Sequence, residues 1–218
     1  MVFQYYNITF RRLEHDNIEL LRNWRNAEWV RPFMHHRQHI TKEMQENWFR
    51  SIDNLDNWVF IIEMQEDPIG VIYLRNMNLT TGTAEPGILM ARKDPALMVP
   101  AAIAMMFQCE IGFNLFRLSA FVAHLYRDHT RSLSNQYHVG ATIVGQFGER
   151  SVYAETLKES FNARSPRVRK ALRTLYGDDD RIVITFEKDR DDPGTVGSVE
   201  KFLKNTEADQ VDRFVLKS

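Results

Sequence analysis

The sequence lacks the features that define several protein classes. Cys109 is its only cysteine, so an intramolecular disulfide cannot form and a zinc site built on several thiolates lacks its ligands. A single cysteine fits a reducing compartment, and we expect a cytoplasmic protein. There is no run of 18 apolar residues, and the first twelve residues lack the pattern of a signal peptide. We therefore expect no membrane-spanning segment.

The chain also lacks a strong net charge. Its 218 residues include 28 Lys and Arg against 29 Asp and Glu, a formal charge of -1. Such a balance creates no overall field to attract nucleic acid, so nucleic-acid binding is not expected, although a local basic patch remains open. With 44% hydrophobic and 26% charged residues, the composition is that of an ordinary globular protein. The length suggests one domain with an appendage.

Apolar periodicity predicts a mixed α/β chain. Thr41 is a suitable N-cap for one helix, and Asp16 and Glu19 have the spacing of a capping box for another. The predicted order is a strand, two helices, three strands, a helix, a strand, a helix and two strands, which is typical of a mixed sheet flanked by helices. The predicted strands cover 8–13, 58–63, 69–74, 87–91, 118–125, 142–147 and 152–157, and the last two helices cover 99–115 and 130–139.

The composition changes beyond residue 160. Ser165 and Gly177 delimit a short helix rich in Arg and Lys, and a strand at 182–186 and a polar helix follow. We therefore predict a first domain at 1–160 and a C-terminal extension at 161–218. The basic helix has two interpretations, because it could contact a phosphate group or RNA, or be a solvated face.

Several segments carry a resemblance to a known family. They resemble the GNAT superfamily of acetyl-CoA-dependent N-acetyltransferases, and most closely its branch of ribosomal-protein N-terminal and nucleotide-linked amino-sugar acetyltransferases. The resemblance implies a mixed, mostly antiparallel central sheet flanked by helices. It covers residues 8–157 and rests on ITFRRLEHDNIELLRNWRN at 8–26, ITKEMQENWF at 40–49, PIGVIYL at 68–74, GILMARKDP at 87–95 and RDHTRSLSNQYHVGA at 127–141.

The resemblance implies that acetyl-CoA is the acetyl donor. In the family the thioester lies where two parallel strands splay apart, and the first of these strands offers main-chain groups. Here those groups would come from Leu89, Met90 and Ala91. The family's Asn-x-x-Ser motif, which contacts the pantetheine, is replaced by His129 and Ser132.

The pyrophosphate-binding turn of the family is degenerate in this chain. Pyrophosphate would lie on amides at the start of the next helix, where Ala96, Met98 and Ala101 are the implied contacts. Family members place glycines in this turn, whereas this chain aligns Ala96, Met98 and Pro100 with them. Proline removes one amide donor and methionine adds bulk.

The catalytic and acceptor candidates follow from the same resemblance and from residue chemistry. Glu85 could accept the amine proton, Tyr137 lies next to the position where relatives protonate the leaving thiolate, and His124 ends a strand that faces the cleft or the core. For Glu85 a merely solvated carboxylate is the alternative. The implied acceptor contacts are Arg25, Trp29, His35 and His36, with core packing or a plain surface loop as the alternatives.

The resulting prediction is an N-acetyltransferase that modifies a primary amine. The acceptor would be a nucleotide-linked amino sugar or, as the second choice, a protein N-terminus. The alternative is a GNAT-shaped binding module that has lost transfer activity. No metal is expected, because the histidines at 35, 36 and 39 have no acidic or thiolate partner at a suitable spacing. Nothing in the sequence argues against a homodimer.

Overall fold

The computed structural model describes residues 1–34, 36–187, 190–207 and 210–217. In this part of the chain ten strands form one sheet, in the order β10-β9-β1-β2-β3-β4-β5-β6-β8-β7. Neighbouring strands are antiparallel except β5 with β6 and β9 with β10. The predicted mixed, mostly antiparallel sheet is confirmed. The strands are β1 Val2–Tyr5, β2 Ile8–Arg12, β3 Trp58–Met64, β4 Asp67–Asn78, β5 Thr83–Met90, β6 Ala120–Tyr126, β7 Thr142–Phe147, β8 Ser151–Leu157, β9 Ile182–Thr185 and β10 Phe214–Lys217.

Six α-helices accompany the sheet in the described residues. They are α1 Ile18–Asn26, α2 Lys42–Ile52, α3 Met98–Glu110, α4 Thr130–His138, α5 Lys158–Tyr176 and α6 Pro193–Lys204. Thr41 caps α2 as predicted, because its hydroxyl accepts the Met44 N–H at 3.2 Å. The capping box predicted for α1 is wrong. Asn17 is the N-cap and makes no side-chain cap bond, while Glu19 accepts a bond from Arg22 Nε at 2.7 Å.

The main core lies between the sheet and α3. Aromatic side chains dominate it, and the rings of Phe10 and Phe107 stack with centroids 3.8 Å apart. The helical stretch Pro95–Leu115 is long and apolar enough to span a membrane, but 78% of its most apolar window is buried inside the protein. We interpret it as the core helix of the fold. On the other face, α1 and α2 pack on the sheet through a smaller cluster that includes Leu21, Phe49 and Val71.

The C-terminal extension enlarges the same sheet. β9 pairs antiparallel with β1, and β10 pairs parallel with β9 at the sheet edge. α5 begins at Lys158, so the helix predicted from Ser165 starts earlier than expected, and the predicted border after residue 160 falls within its first turn. α6 begins at Pro193, where the Asp192 carboxylate accepts the Thr195 N–H at 2.9 Å. The domain border itself stays a prediction.

Candidate active site

The central feature of the site is a gap between two parallel strands, β5 and β6. In the described residues two register pairs join them, Thr83 with Ala120 and Ala84 with Phe121. Beyond these pairs the strands separate, although β4 remains paired with β5 as far as Met90. The gap is therefore a wedge that opens within the sheet, and we call it the wedge below.

Hydrogen-bond alternation decides which main-chain groups face the wedge. The Ala91 N–H donates to the Ile69 carbonyl at 2.8 Å, on the β4 side. Because bonding alternates along an antiparallel pair, the main chain of Leu89 also faces β4, whereas Ile88 and Met90 direct their main chains to the wedge. Of the three predicted main-chain contacts, Met90 therefore faces the wedge, and the other two face the neighbouring strand.

A cavity of about 480 Å³ adjoins the wedge and contains two of the predicted catalytic residues. Glu85 on β5 and His124 on β6 both line it, so the structure brings them together. It lies on the face of the sheet that α1 and α2 cover, because side chains alternate along β5 and Leu89 packs in that cluster. The full lining is Arg75, Asn76, Thr83, Ala84, Glu85, Val122, His124 and Tyr153.

The Glu85 carboxylate is held by two side chains of β4. Arg75 Nη2 donates to one of its oxygens at 3.0 Å, and Asn76 Nδ2 donates to the other at 3.1 Å. The Arg75 guanidinium carbon lies 4.8 Å from the Tyr73 ring centroid, which fixes the arginine in turn. Glu85 is thus a positioned carboxylate at the cavity wall rather than a freely solvated one.

His124 faces the cavity rather than the core. Its ring stacks on Tyr153 with centroids 5.2 Å apart, and the edge of Phe147 meets it at 5.6 Å. The sequence left open whether His124 faces the cleft or the core, and in the structure it faces the cavity. Aromatic packing holds the imidazole plane against β8, next to β6.

Tyr137 is not brought to this cavity. The side chain is 58% exposed on α4, and the Arg164 guanidinium carbon lies 4.1 Å from its ring centroid. The aligned neighbour Gln136 is buried instead. This arrangement follows from helical geometry, since consecutive residues point about 100° apart. A proton-donor role for Tyr137 stays a prediction.

The predicted acceptor residues have different surroundings. Arg25 Nη1 donates to Gln45 at 3.0 Å, its guanidinium lies over Trp48 at 4.9 Å, and burial lowers its pKa. Trp29 is half-buried in the turn after α1. His36 is partly buried, and its Nε2 has no hydrogen-bond partner in the described part of the chain. The prediction for His35 lies outside the described residues.

The segment between α1 and α2 reaches across to the end of β6. The Phe33 ring stacks on His129 with centroids 4.0 Å apart, and the Arg37 guanidinium lies 5.1 Å from the Tyr126 ring. Burial, followed by the nearby charge of Arg131, lowers the pKa of His129. The predicted pantetheine contact at His129, the N-cap of α4, is thus engaged in an aromatic stack, while Ser132 lies half-buried in α4.

The turn before α3 already uses its main-chain donors internally. The Asp94 carboxylate accepts the Ala96 N–H at 2.9 Å, and the Asp94 carbonyl accepts the Leu97 N–H at 3.1 Å. The Met98 N–H donates to the Pro95 carbonyl. A negative side chain therefore occupies the amide that a pyrophosphate oxygen would need.

The first turn of α3 offers few other main-chain donors for a pyrophosphate. Met98 is 64% exposed, Ala101 is buried, and Pro100 is buried and has no N–H. The wedge fits a slender acyl-pantetheine arm, because the main chains of Ile88 and Met90 face it and pair with no strand on that side in the described part of the chain. The turn before α3 does not fit a pyrophosphate in its present hydrogen bonding.

One group of acids in the described residues could hold a metal ion. Oxygens of Glu14, Glu187 and Asp191 lie within 4.8 Å of one another. The ammonium group of Met1 already contacts two of these acids, with Glu187 Oε2 at 3.1 Å and Asp191 closer still. This group is remote in sequence from the wedge residues, and the expectation of a metal-free protein stays a prediction.

A family model described as an acetyltransferase (GNAT) domain matches residues 7–142. No curated protein sequence matches the chain significantly. The family match runs from β2 to the first residue of β7 and includes the wedge, the Asp94 turn and all of the predicted site residues.

Solved structures share the fold at low sequence identity. A spermidine N-acetyltransferase from Vibrio cholerae in complex with CoA and spermine has 15% identity and a TM-score of 0.62, over 72% of this chain and 98% of that chain. A dodecameric structure of the spermidine N-acetyltransferase from the same organism has 18% identity and a TM-score of 0.58, over 73% and 98%. A domain from Methanocaldococcus jannaschii has 16% identity and a TM-score of 0.57, over 69% and 97%.

Proposed function

Because the chain belongs to the GNAT acetyltransferase family of enzymes, we propose that it transfers an acetyl group from acetyl-CoA to a primary amine whose remainder is neutral or anionic. The acceptor that we favour is a nucleotide-linked amino sugar, and a protein N-terminus is the second choice. The observation that carries the proposal is the wedge between β5 and β6. It leaves main-chain groups of β5 free to bond an extended ligand as an added strand would.

The residues around the wedge have complementary roles in this proposal. Acetyl-CoA would supply the activated acetyl group. The main-chain N–H of Met90 faces the wedge and would hold the ligand arm or stabilise negative charge on a carbonyl oxygen there. The carboxylate of Glu85 would take the amine proton, directly or through one water. Arg75 and Asn76 hold that carboxylate at 3.0 Å and 3.1 Å and would keep it in place during the transfer.

The charges at the cavity favour this class of acceptor over a polyamine. The paired Glu85 and Arg75 are the charged residues of the cavity wall, and the charge of Arg75 also acts on Arg25 nearby. A polyamine with several positive charges would therefore meet the Arg75 guanidinium and a carboxylate that this arginine already neutralises, with the charge of Arg25 close by. An acceptor with a phosphate or carboxylate group would find a partner in the Arg75 guanidinium at the cavity wall.

A second candidate is a GNAT-shaped binding module without transfer activity. The Asp94 carboxylate on the Ala96 N–H is the observation that favours it, because this contact opposes pyrophosphate binding. In this case the wedge would serve another extended ligand. The two candidates differ in whether acetyl-CoA binds.

The deciding experiment combines calorimetry with a transfer assay. We expect acetyl-CoA to bind in isothermal titration, and no heat at millimolar acetyl-CoA would favour the binding module. Acetyl transfer is measured with a reagent that reacts with the thiol of the released CoA. The buried Cys109 should not react with this reagent. The acceptors compared are a nucleotide-linked amino sugar, a peptide with a free amino terminus, and spermidine. Faster turnover of spermidine than of the other two would contradict the proposed acceptor class.

The variant Glu85→Gln tests the proposed base. We expect kcat/KM to fall about 100-fold, the usual contribution of a positioned proton acceptor. Glu43→Gln is the matched control, because Glu43 is an exposed carboxylate in the first turn of α2 and lies outside the cavity. Equal activity of the two variants would remove Glu85 from the mechanism.

A further inference from the structure

A second cavity, of about 720 Å³, lies along α5 in the C-terminal part of the chain. It shares no lining residue with the cavity at the wedge. Among the described residues, four positively charged side chains and one acid, Asp178, line it. The four are Arg169, Lys170, Arg173 and Arg213.

Helical spacing places most of these donors on one wall. Ser165, Arg169 and Arg173 recur every four residues along α5, so they lie on the same face of the helix. Thr174 follows on the adjoining row, where its hydroxyl donates to the Lys170 carbonyl at 3.0 Å. Arg213, from the turn before β10, supplies the facing wall. The cavity is thus lined by hydrogen-bond donors from two separate elements.

Two carboxylates fix the arginines without filling the cavity. Glu110 is 1% exposed and contacts Arg169, while Arg213 Nη1 lies 3.5 Å from the same carboxylate. Arg173 donates to Asp180 at 2.6 Å. Because Glu110 and Asp180 are not among the lining residues, they bind the guanidinium groups away from the cavity space. Buried carboxylates of this kind orient the cations that an incoming anion would meet.

Two of the cations retain unused binding capacity. The Arg169 side chain is only 9% exposed, and its buried Nη1 has no hydrogen-bond partner among the described residues. Asp180 Oδ2 lies 3.9 Å from this nitrogen, which is too far for a hydrogen bond. Lys170 is exposed and makes no ion pair in the described part of the chain. An oxyanion in the cavity would pair with the exposed Lys170 and lie next to the Arg169 side chain, which lines the same cavity.

We propose that this cavity binds a small molecule that carries a phosphate or diphosphate group. One guanidinium group can bind two phosphate oxygens at once, and a lysine ammonium adds a point charge. The lining therefore has the donors that such an anion needs. The volume is in the range of small-ligand sites. The proposal does not depend on acetyl transfer, because the described residues that line this cavity are not among those that line the wedge cavity.

The test is isothermal titration of the full chain with inorganic pyrophosphate and with ADP at low salt. We expect one site per chain, and at least a fivefold weaker affinity in Lys170→Gln. Arg167→Gln is the matched control, because Arg167 is exposed on the same helix, is not in the cavity lining, and loses the same charge. Its affinity should stay within twofold of the parent protein.

Three results would overturn the proposal. The first is no binding of either probe at millimolar concentration. The second is an equal loss of affinity in both variants, which would indicate a diffuse positive potential instead of a site. The third is tighter binding of single-stranded RNA than of ADP, which would assign the cavity to a macromolecule. Because Lys170 and Arg167 are both exposed, neither substitution should prevent folding.

Discussion

The turn before α3 gives the sharpest prediction, because one carboxylate there acts on both the fold and the cofactor. Asp94 accepts the Ala96 N–H at 2.9 Å and so occupies an amide that the pyrophosphate of acetyl-CoA would use. In Asp94→Asn the side-chain oxygen can still accept this N–H, since Asn and Asp are equally good caps. The variant therefore removes the negative charge and keeps the turn.

The expected gain follows from the distance between the charges. A phosphate oxygen near the Ala96 amide would lie about 5 Å from the Asp94 carboxylate, so each phosphate charge costs between about 0.8 kcal/mol at a dielectric constant of 80 and about 3 kcal/mol at 20. Asp94 is only partly buried, which places the value towards the lower end. We expect the Kd for acetyl-CoA to fall about tenfold in Asp94→Asn, or about 1.4 kcal/mol.

Isothermal titration at two salt concentrations measures this effect. The difference in Kd between the parent protein and Asp94→Asn should shrink at 0.5 M salt, because salt screens exposed charges. Asp16→Asn, an exposed carboxylate before α1, is the control for the loss of one negative charge, and its Kd should not change. An unchanged Kd in Asp94→Asn, with the free energy of unfolding preserved, would refute the placement of pyrophosphate at this turn.

Two further predictions concern stability. Glu110→Gln should lower the free energy of unfolding by about 3 kcal/mol in urea titration, because it leaves the buried Arg169 without its nearest counter-charge. The exposed Glu159→Gln should change this free energy by less than about 0.5 kcal/mol, and equal effects of the two variants would contradict the reasoning. Because burial lowers the pKa of His129, the unfolded chain takes up this proton first as the pH falls. The stability that the neutral ring contributes is therefore present above its unfolded pKa of about 6.5, and it is lost as the pH falls through the lower pKa of the folded state. Between pH 7.5 and 5 the free energy of unfolding of the parent protein should therefore fall more steeply than that of His129→Gln. Identical pH profiles would mean that the Phe33 stack does not depend on this protonation state.

The sequence predicted the central elements because local signals and tertiary packing agree there. The strands at 58–63, 142–147 and 152–157 and the helix at 99–115 were found close to their observed bounds. Long apolar runs such as the one in α3 have few alternatives to burial. Glu85 and His124 reach the same cavity because they lie on the neighbouring strands β5 and β6.

Other features depend on distant contacts that no local pattern encodes. β1 was missed, since a strand of four residues is defined by its pairing with β2 and β9. The stack of Phe33 on His129 joins residues far apart in the chain. The direction of the main chain at Leu89 and Ala91 depends on the register with β4, which the sequence does not specify. The cavity along α5 needs Arg213, 37 residues beyond the end of that helix at Tyr176, so the basic run alone could not reveal it.

The two halves of the predicted cofactor site therefore rest on different physical determinants. The wedge depends on backbone register, because β5 stays paired with β4 while it separates from β6, and many apolar side chains are compatible with that geometry. The anion-binding turn depends on residue identity, because it needs free amides, and Asp94 and Pro100 each remove one. Substitutions in the turn can therefore weaken pyrophosphate binding without closing the wedge to the acyl-pantetheine arm. A family member in this condition would need other contacts to hold its donor, which makes the affinity for acetyl-CoA the quantity that separates a working enzyme from a retained scaffold.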